Sequence, residues 1–321
     1  MTSAPKRRLH RRLLLVTALG LVIALVGVGA IATNTLGAGH LFDRAVAKVD
    51  RILAGPVPDR SAPDTVLESA PPPDPADLDP DEVPIARPSD GLSGPAITPV
   101  PVPTASPTPT PTVPRVPITF DVVADHKAVF AHELKVTWCA SAGVQMVLTT
   151  LHHGNTSNAF QRELQGRVRE WESYKDSHNG DWGPSAMALA LADYGAKGYE
   201  VTAFQTRQGA LRGAAKAIMK TNSPAILLAW RGAHTWVMTG FKADADPTVF
   251  SNAKIAGTYV LDPWYPDVSS IWGPSDPPGT FQNNAEMIRN FLPWKRPEGK
   301  YPARDGLYIT VLPTIRVSPP G

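Results

Sequence analysis

Cysteine is nearly missing from this chain: 321 residues carry one, Cys139. A single thiol excludes any intrachain disulfide framework, so Cys139 is left to react, to pair with a partner or to pack in a core. Charge of one sign is also missing. The formal net charge of +2 offers neither the basic footprint that nucleic acid requires nor a surface tuned to an acidic substrate. No glycine-rich phosphate loop, HxxxH pair or comparable metal-ligand spacing occurs, and no internal repeat. No cofactor, metal or nucleic-acid partner is therefore expected.

What is abundant is proline, and it is unevenly placed. Of 34 prolines, 19 fall between Pro56 and Pro117. A segment of that composition buries too little apolar surface to offset its ordering entropy, so 56–117 is expected to be a disordered linker. Extended polyproline geometry at about 3.1 Å per residue would let it hold a domain well over about 100 Å from its attachment point.

Ahead of it, Lys6, Arg7, Arg8, Arg11 and Arg12 precede the uncharged run "LLLVTALGLVIALVGVGAIA" at 13–32. Such a run is long enough to cross a bilayer as a helix. No basic residue follows until Arg44, so the positive-inside rule predicts a cytoplasmic N-terminus at 1–12, a signal-anchor span at 13–32 and an extracytoplasmic remainder in the cell membrane. Secretion after signal cleavage is the alternative, because "AIA" ending at Ala32 resembles a cleavage site. Residues 33–55 form a juxtamembrane segment in which "LFDRAVAKVDRIL" (41–53) has the apolar spacing of a short amphipathic helix.

From Ile118 hydrophobic periodicity returns. Val144, Val147, Leu148 and Leu151 fall on one helical face starting close to Cys139. Further helices are expected at 158–173, at 183–195 between Pro184 and Gly195, and at 209–220. The pattern then changes to short β-branched and aromatic runs, "PAILLAW" (224–230), "HTWVMTGF" (234–241), "GTYVLD" (257–262) and "GLYITVL" (306–312). Residues 263–304 read as loop with one short helix near 283–292. Helices first and strands after imply an α+β domain over 118–313, a helical half packed on an antiparallel sheet, with a short tail at 314–321.

Cys139 opens a helix, where unpaired amides and the helix dipole favour a thiolate. It needs a histidine as base. His10 and His40 lie outside the domain, His152 and His153 end the first helix, and His178 falls in polar "DSHNGD". His234 begins a strand after the small residues of "RGA", which leave room for substrate. Asp262 ends the next strand, where a carboxylate can orient that imidazole. Nucleophile, base and orienter would then stand on a helix start and two neighbouring strands. Trp138, Trp182, Trp236 and Trp264 flank these segments, though tryptophans are more often packing residues than substrate contacts.

The ordered set "WCASAGVQMVLTTLHHG" (138–154), "SAMALALADYG" (185–195), "SPAILLAWRGAHTWVMTGF" (223–241) and "YVLDPW" (259–264) resembles the papain-like cysteine peptidases of the C39 and C39-like kind. The resemblance covers the region from near Phe120 to Leu312. It implies a papain-like fold and thiol peptidase activity on a peptide or protein substrate, with Cys139, His234 and Asp262 as the catalytic set. Three departures stand out. Ala140-Ser141 replaces the family's frequent Gly-Pro, and 28 residues separate His234 from Asp262, with 242–257 reading as an inserted hairpin loop. Glu133 occupies the oxyanion-region position where the family usually has glutamine. A carboxylate there would repel a developing oxyanion unless protonated, so Glu133 is held neutral, another donor substitutes, or hydrolysis is impaired. Two other functions fit the sequence: a silent papain-like domain displaying a peptide-binding groove, and a transglutaminase-like acyl transferase.

Overall fold

The computed structural model describes residues 26–30, 38–56, 66–67, 113–173, 176, 182–295 and 303–319. The span expected at 13–32 lies outside these apart from 26–30, which are helical, and so does most of the proline-rich segment and His178. Among the described residues no helix is long and apolar enough to cross a membrane.

The juxtamembrane pattern forms a helix, α1 (Ala38–Ala54). A two-residue strand β1 (Val66–Leu67) lies within the proline-rich segment. The domain proper begins with β2 (Ile118–Asp121) and the single turn α2 (His126–Val129). Then come α3 (Cys139–Thr150), α4 (Asn158–Gly166) and α5 (Pro184–Asp193). The expected helix over 158–173 stops at Gly166 and continues only as a 3-10 turn at Val168–Glu170, because glycine is a poor helix residue.

The remaining order is β3 (Tyr199–Phe204), α6 (Arg207–Thr221), β4 (Ala225–Leu228), β5 (His234–Ala243) and β6 (Ile255–Leu261). The ribbon β7 (Val268–Ser269) and β8 (Gly273–Pro274), then β9 (Thr280–Asn283), α7 (Asn284–Asn290) and β10 (Tyr308–Pro313) complete it.

The main sheet runs β1-β3-β10-β4-β5-β6-β9, with β2 also paired to β5. Every pairing is antiparallel except the short β1–β3 contact. Strands therefore do not simply follow helices along the chain. β3 lies between α5 and α6 in sequence and sits next to the edge strand β1, and β2 precedes every helix of the domain. The mixed α+β class with an antiparallel sheet holds.

Helices cover both faces of this sheet rather than one. On one side Val144, Val147 and Leu148 of α3, Leu164 of α4 and Leu191 of α5 pack with Val201, Ile226, Val237 and Val311. On the other, Leu211 and Ile218 of α6 and Met287 of α7 pack with Leu227, Trp236, Met238 and Tyr308. Successive residues of β4, β5 and β10 alternate between the two cores, as the period of two requires. A strand buried on both sides has no polar face, which is why "AILL" reads as an unbroken apolar run. The expected insertion after β5 is a hairpin loop, closed where the Asp244 N–H donates to the Lys254 carbonyl.

Candidate active site

The start of α3 carries Cys139 at the sheet surface. Its first turn is small, and Ala140, Ser141, Ala142 and Gly143 are all buried. Gly143 faces β5 so closely that a Cβ there would lie 2.5 Å from Thr235 Cγ2. The small residues thus bring the helix start down onto the strand that begins with His234. Ser141 Oγ donates to the Trp138 carbonyl at 2.9 Å, fixing the turn into the helix.

His234 and Asp262 meet across the β5–β6 pair, with His234 Nε2 2.7 Å from Asp262 Oδ1. Asp262 Oδ1 also accepts the Trp264 N–H at 2.9 Å, so the carboxylate is aimed before substrate arrives. Glu133, Cys139 and His234 each place one ligand-type atom within 4.8 Å of the other two. The sequence-read set is therefore brought together, and Glu133 stands in it.

The turn before His234 differs from the open space expected of "RGA". Trp230, Arg231 and Gly232 have φ of 52°, 63° and 84°, three left-handed residues in succession. A Cβ on Gly232 would fall 2.2 Å from Trp294 Cε3, so glycine is required both for its φ and for close packing. The turn lays the Trp230 ring over the His234 imidazole, centroids 3.9 Å apart and 17° from parallel. Trp264 meets the imidazole edge-on at 6.3 Å, and Trp272 stacks on Trp230 at 5.8 Å. His234 is 3 % exposed, walled by aromatics instead of facing a gap. Of the four tryptophans singled out in the sequence, Trp264 belongs to this wall. Trp182 packs at a tilt against Trp171, and Trp236 lies in the α6-side core.

Glu133 is 3 % exposed, and neither carboxyl oxygen has a hydrogen-bond partner among the described residues. Its backbone N–H donates to the Pro263 carbonyl at 2.9 Å, tying it to the strand end that presents Asp262. Two buried glutamines hold the rest of its loop. Gln161 accepts the Leu134 N–H at 2.7 Å and donates to the His132 carbonyl and to Gln145 Oε1, each at 2.9 Å. Gln145 in turn donates to the Asn155 and Ser157 carbonyls. Neither glutamine was legible as a site residue, since both look like ordinary polar positions on helices.

Burial, then the charges of Asp262 and Asp267, push the Glu133 carboxyl well above the usual carboxylate range, against a smaller opposing effect of Arg44. The shift favours the neutral acid at Glu133. The thiol of Cys139 departs from the expectation of a lowered pKa. Burial first, and Glu133 whenever it is ionised, push it above the ordinary thiol range, against hydrogen bonds from the Thr235 side chain and backbone and from the Ala140 backbone. Desolvation here outweighs the helix start. Cys139 is half-buried, and a nucleophilic role would require a base to take its proton.

Glu133, Cys139 and His234 could together offer three donors to a metal ion, one fewer than a closed four-coordinate site. The chain matches no family model, no curated protein and no solved structure.

Proposed function

We propose that the chain is a membrane-anchored, extracytoplasmic thiol hydrolase of the papain-like kind, a cysteine peptidase acting on peptide or amide bonds. One observation carries the reading: a cysteine at a helix start, within 4.8 Å of a histidine whose Nε2 is held 2.7 Å from a buried aspartate. Those are the positions of nucleophile, base and orienter.

Cys139 Sγ attacks the substrate carbonyl as His234 takes its proton, so no standing thiolate is needed. Asp262 holds the imidazole and stabilises the imidazolium that forms. The proton then passes to the leaving amine, the C–N bond breaks, and water activated by the same imidazole hydrolyses the thioester. The Cys139 N–H and the protonated Glu133 carboxyl donate to the developing oxyanion, Glu133 doing in its neutral form what a glutamine amide would do. A carboxylic acid kept neutral by an apolar site is a known kind of oxyanion donor.

The test uses the full chain and p-nitrophenyl acetate, followed by intact-mass and peptide mapping. The expected result is an acetyl group on Cys139 that turns over, absent in Cys139→Ala and slow to form in His234→Ala. A second reading is favoured by the raised thiol: a silent domain whose groove binds peptide without cleaving it. It predicts no acyl adduct at any pH and unchanged peptide binding in Cys139→Ala.

A further inference from the structure

α1 is oriented the wrong way round for a helix whose outer side meets water. Its sequence is amphipathic, and Leu41, Phe42, Val49, Ile52 and Leu53 share one continuous arc at 100° per residue. A helix on a soluble domain turns such an arc inward. Here those five side chains are 50–78 % exposed. The opposite side, with Asp43, Val46, Ala47 and Arg51 half-buried, faces the domain. Arg51 lies 3.5 Å from the fully buried Glu172, and Arg169 Nη2 donates to the Ala54 and Pro56 carbonyls at 3.2 Å each.

The chain on either side of α1 says what covers the arc. The uncharged run at 13–32 ends five residues before Ala38. Five residues reach at most about 18 Å when fully extended, so α1 starts close to wherever that run leaves the bilayer. Arg44 and Lys48 border the arc on one flank, where an interfacial helix carries cations for anionic headgroups.

We propose that α1 lies in the bilayer surface, with the Leu41–Leu53 arc among the acyl chains and its opposite side carrying the catalytic domain. The proline-rich segment then leaves α1 and returns to the same domain, and the hydrolase sits on the membrane instead of far above it. Its substrates are peptides or proteins held at, or moving along, that surface. The placement of α1 rests on the membrane-anchored reading alone, and the class of substrate rests on the thiol chemistry as well.

The experiment uses the full chain with Cys139→Ala, carrying Phe42→Cys, Val49→Cys, Leu53→Cys or, outside the arc, Asp50→Cys, each spin-labelled. The protein is reconstituted in phosphatidylcholine vesicles containing one quarter phosphatidylglycerol. Accessibility to oxygen and to a water-soluble nickel chelate is then read at each site. The expected result is a several-fold shift toward oxygen at positions 42, 49 and 53 relative to 50. Equal, water-like accessibility at all four overturns the proposal while leaving the anchor intact. Spin–spin broadening at position 49 overturns it in favour of helix pairing between copies. Failure of the chain to float with vesicles overturns the anchored reading and the proposal together.

Discussion

In the proposed mechanism Glu133 decides what the site can do, because one proton changes its role from hydrogen-bond donor to repulsive charge. Its raised carboxyl predicts that wild-type hydrolysis declines as pH rises through the range where Glu133 ionises, and that Glu133→Gln removes this decline. Glu133→Ala deletes the donor and is expected to lower kcat by about 10²–10³-fold at every pH. Iodoacetamide reports the same switch without a substrate. At acid pH the Glu133→Gln variant and wild type should alkylate at equal rates. The variant should pull ahead only as Glu133 ionises in wild type, because the carboxylate, unlike the neutral acid, adds to the rise that burial already imposes on the thiol. Stability follows the same proton. A carboxyl whose folded pKa lies above its unfolded value of about 4.3 contributes fully below that pH and loses its contribution as pH rises toward the folded value. The Tm difference between Glu133→Gln and wild type should therefore grow in favour of the variant as pH is raised from about 4. A pH-independent difference would sink the neutral-acid assignment.

Between elements, two glycines set how closely the parts of the site approach. Gly143→Ala gains helix propensity, yet its methyl meets the β-branched Thr235 side chain, which has little freedom to yield. The expected net cost is about 1–3 kcal/mol, with α3 pushed off β5 and alkylation of Cys139 less dependent on His234. Thermal melts and labelling rates in the His234→Ala background check both parts. Gly232→Ala strains a left-handed residue and strikes Trp294, so a loss of at least about 1 kcal/mol is expected, together with altered Trp230 fluorescence. These contacts also show where the sequence stopped being readable. Cys139, His234 and Asp262 were legible because each sits at an element boundary marked by local composition. The left-handed turn was not, since Trp230 and Arg231 are not residues that announce positive φ. β3 was missed because "YEVTAF" is short and sits between two strong helical patterns, and its partner β10 is over a hundred residues away. The second helical layer was missed for the same reason: an apolar run does not say how many faces are covered.

At the scale of the whole molecule, attachment matters more than length. A segment with 19 prolines suggests distance by composition alone, yet the described residues at its two ends both touch the domain. Arg169 holds the Ala54 and Pro56 carbonyls, β1 pairs with β3, and Arg115 binds Asp244 at 2.8 Å. The docking of α1 includes polar contacts from Arg51 and Arg169, and it is a local equilibrium that can be measured separately from global unfolding. The Arg51–Glu172 pair is long and its arginine partly exposed, and Arg169 stays paired with Glu172 when Arg51 is removed, so its loss should cost no more than an exposed pair, about 0.2–1 kcal/mol. Arg51→Ala should therefore speed amide exchange in α1 by a factor of about 1.4–5 while leaving the sheet strands unchanged. Arg169→Ala removes both carbonyl contacts and the closer partner of Glu172, and its effect on the same amides should be larger. Exchange in α1 that is already fast in wild type and unmoved by either substitution would show that the helix does not hold to the domain.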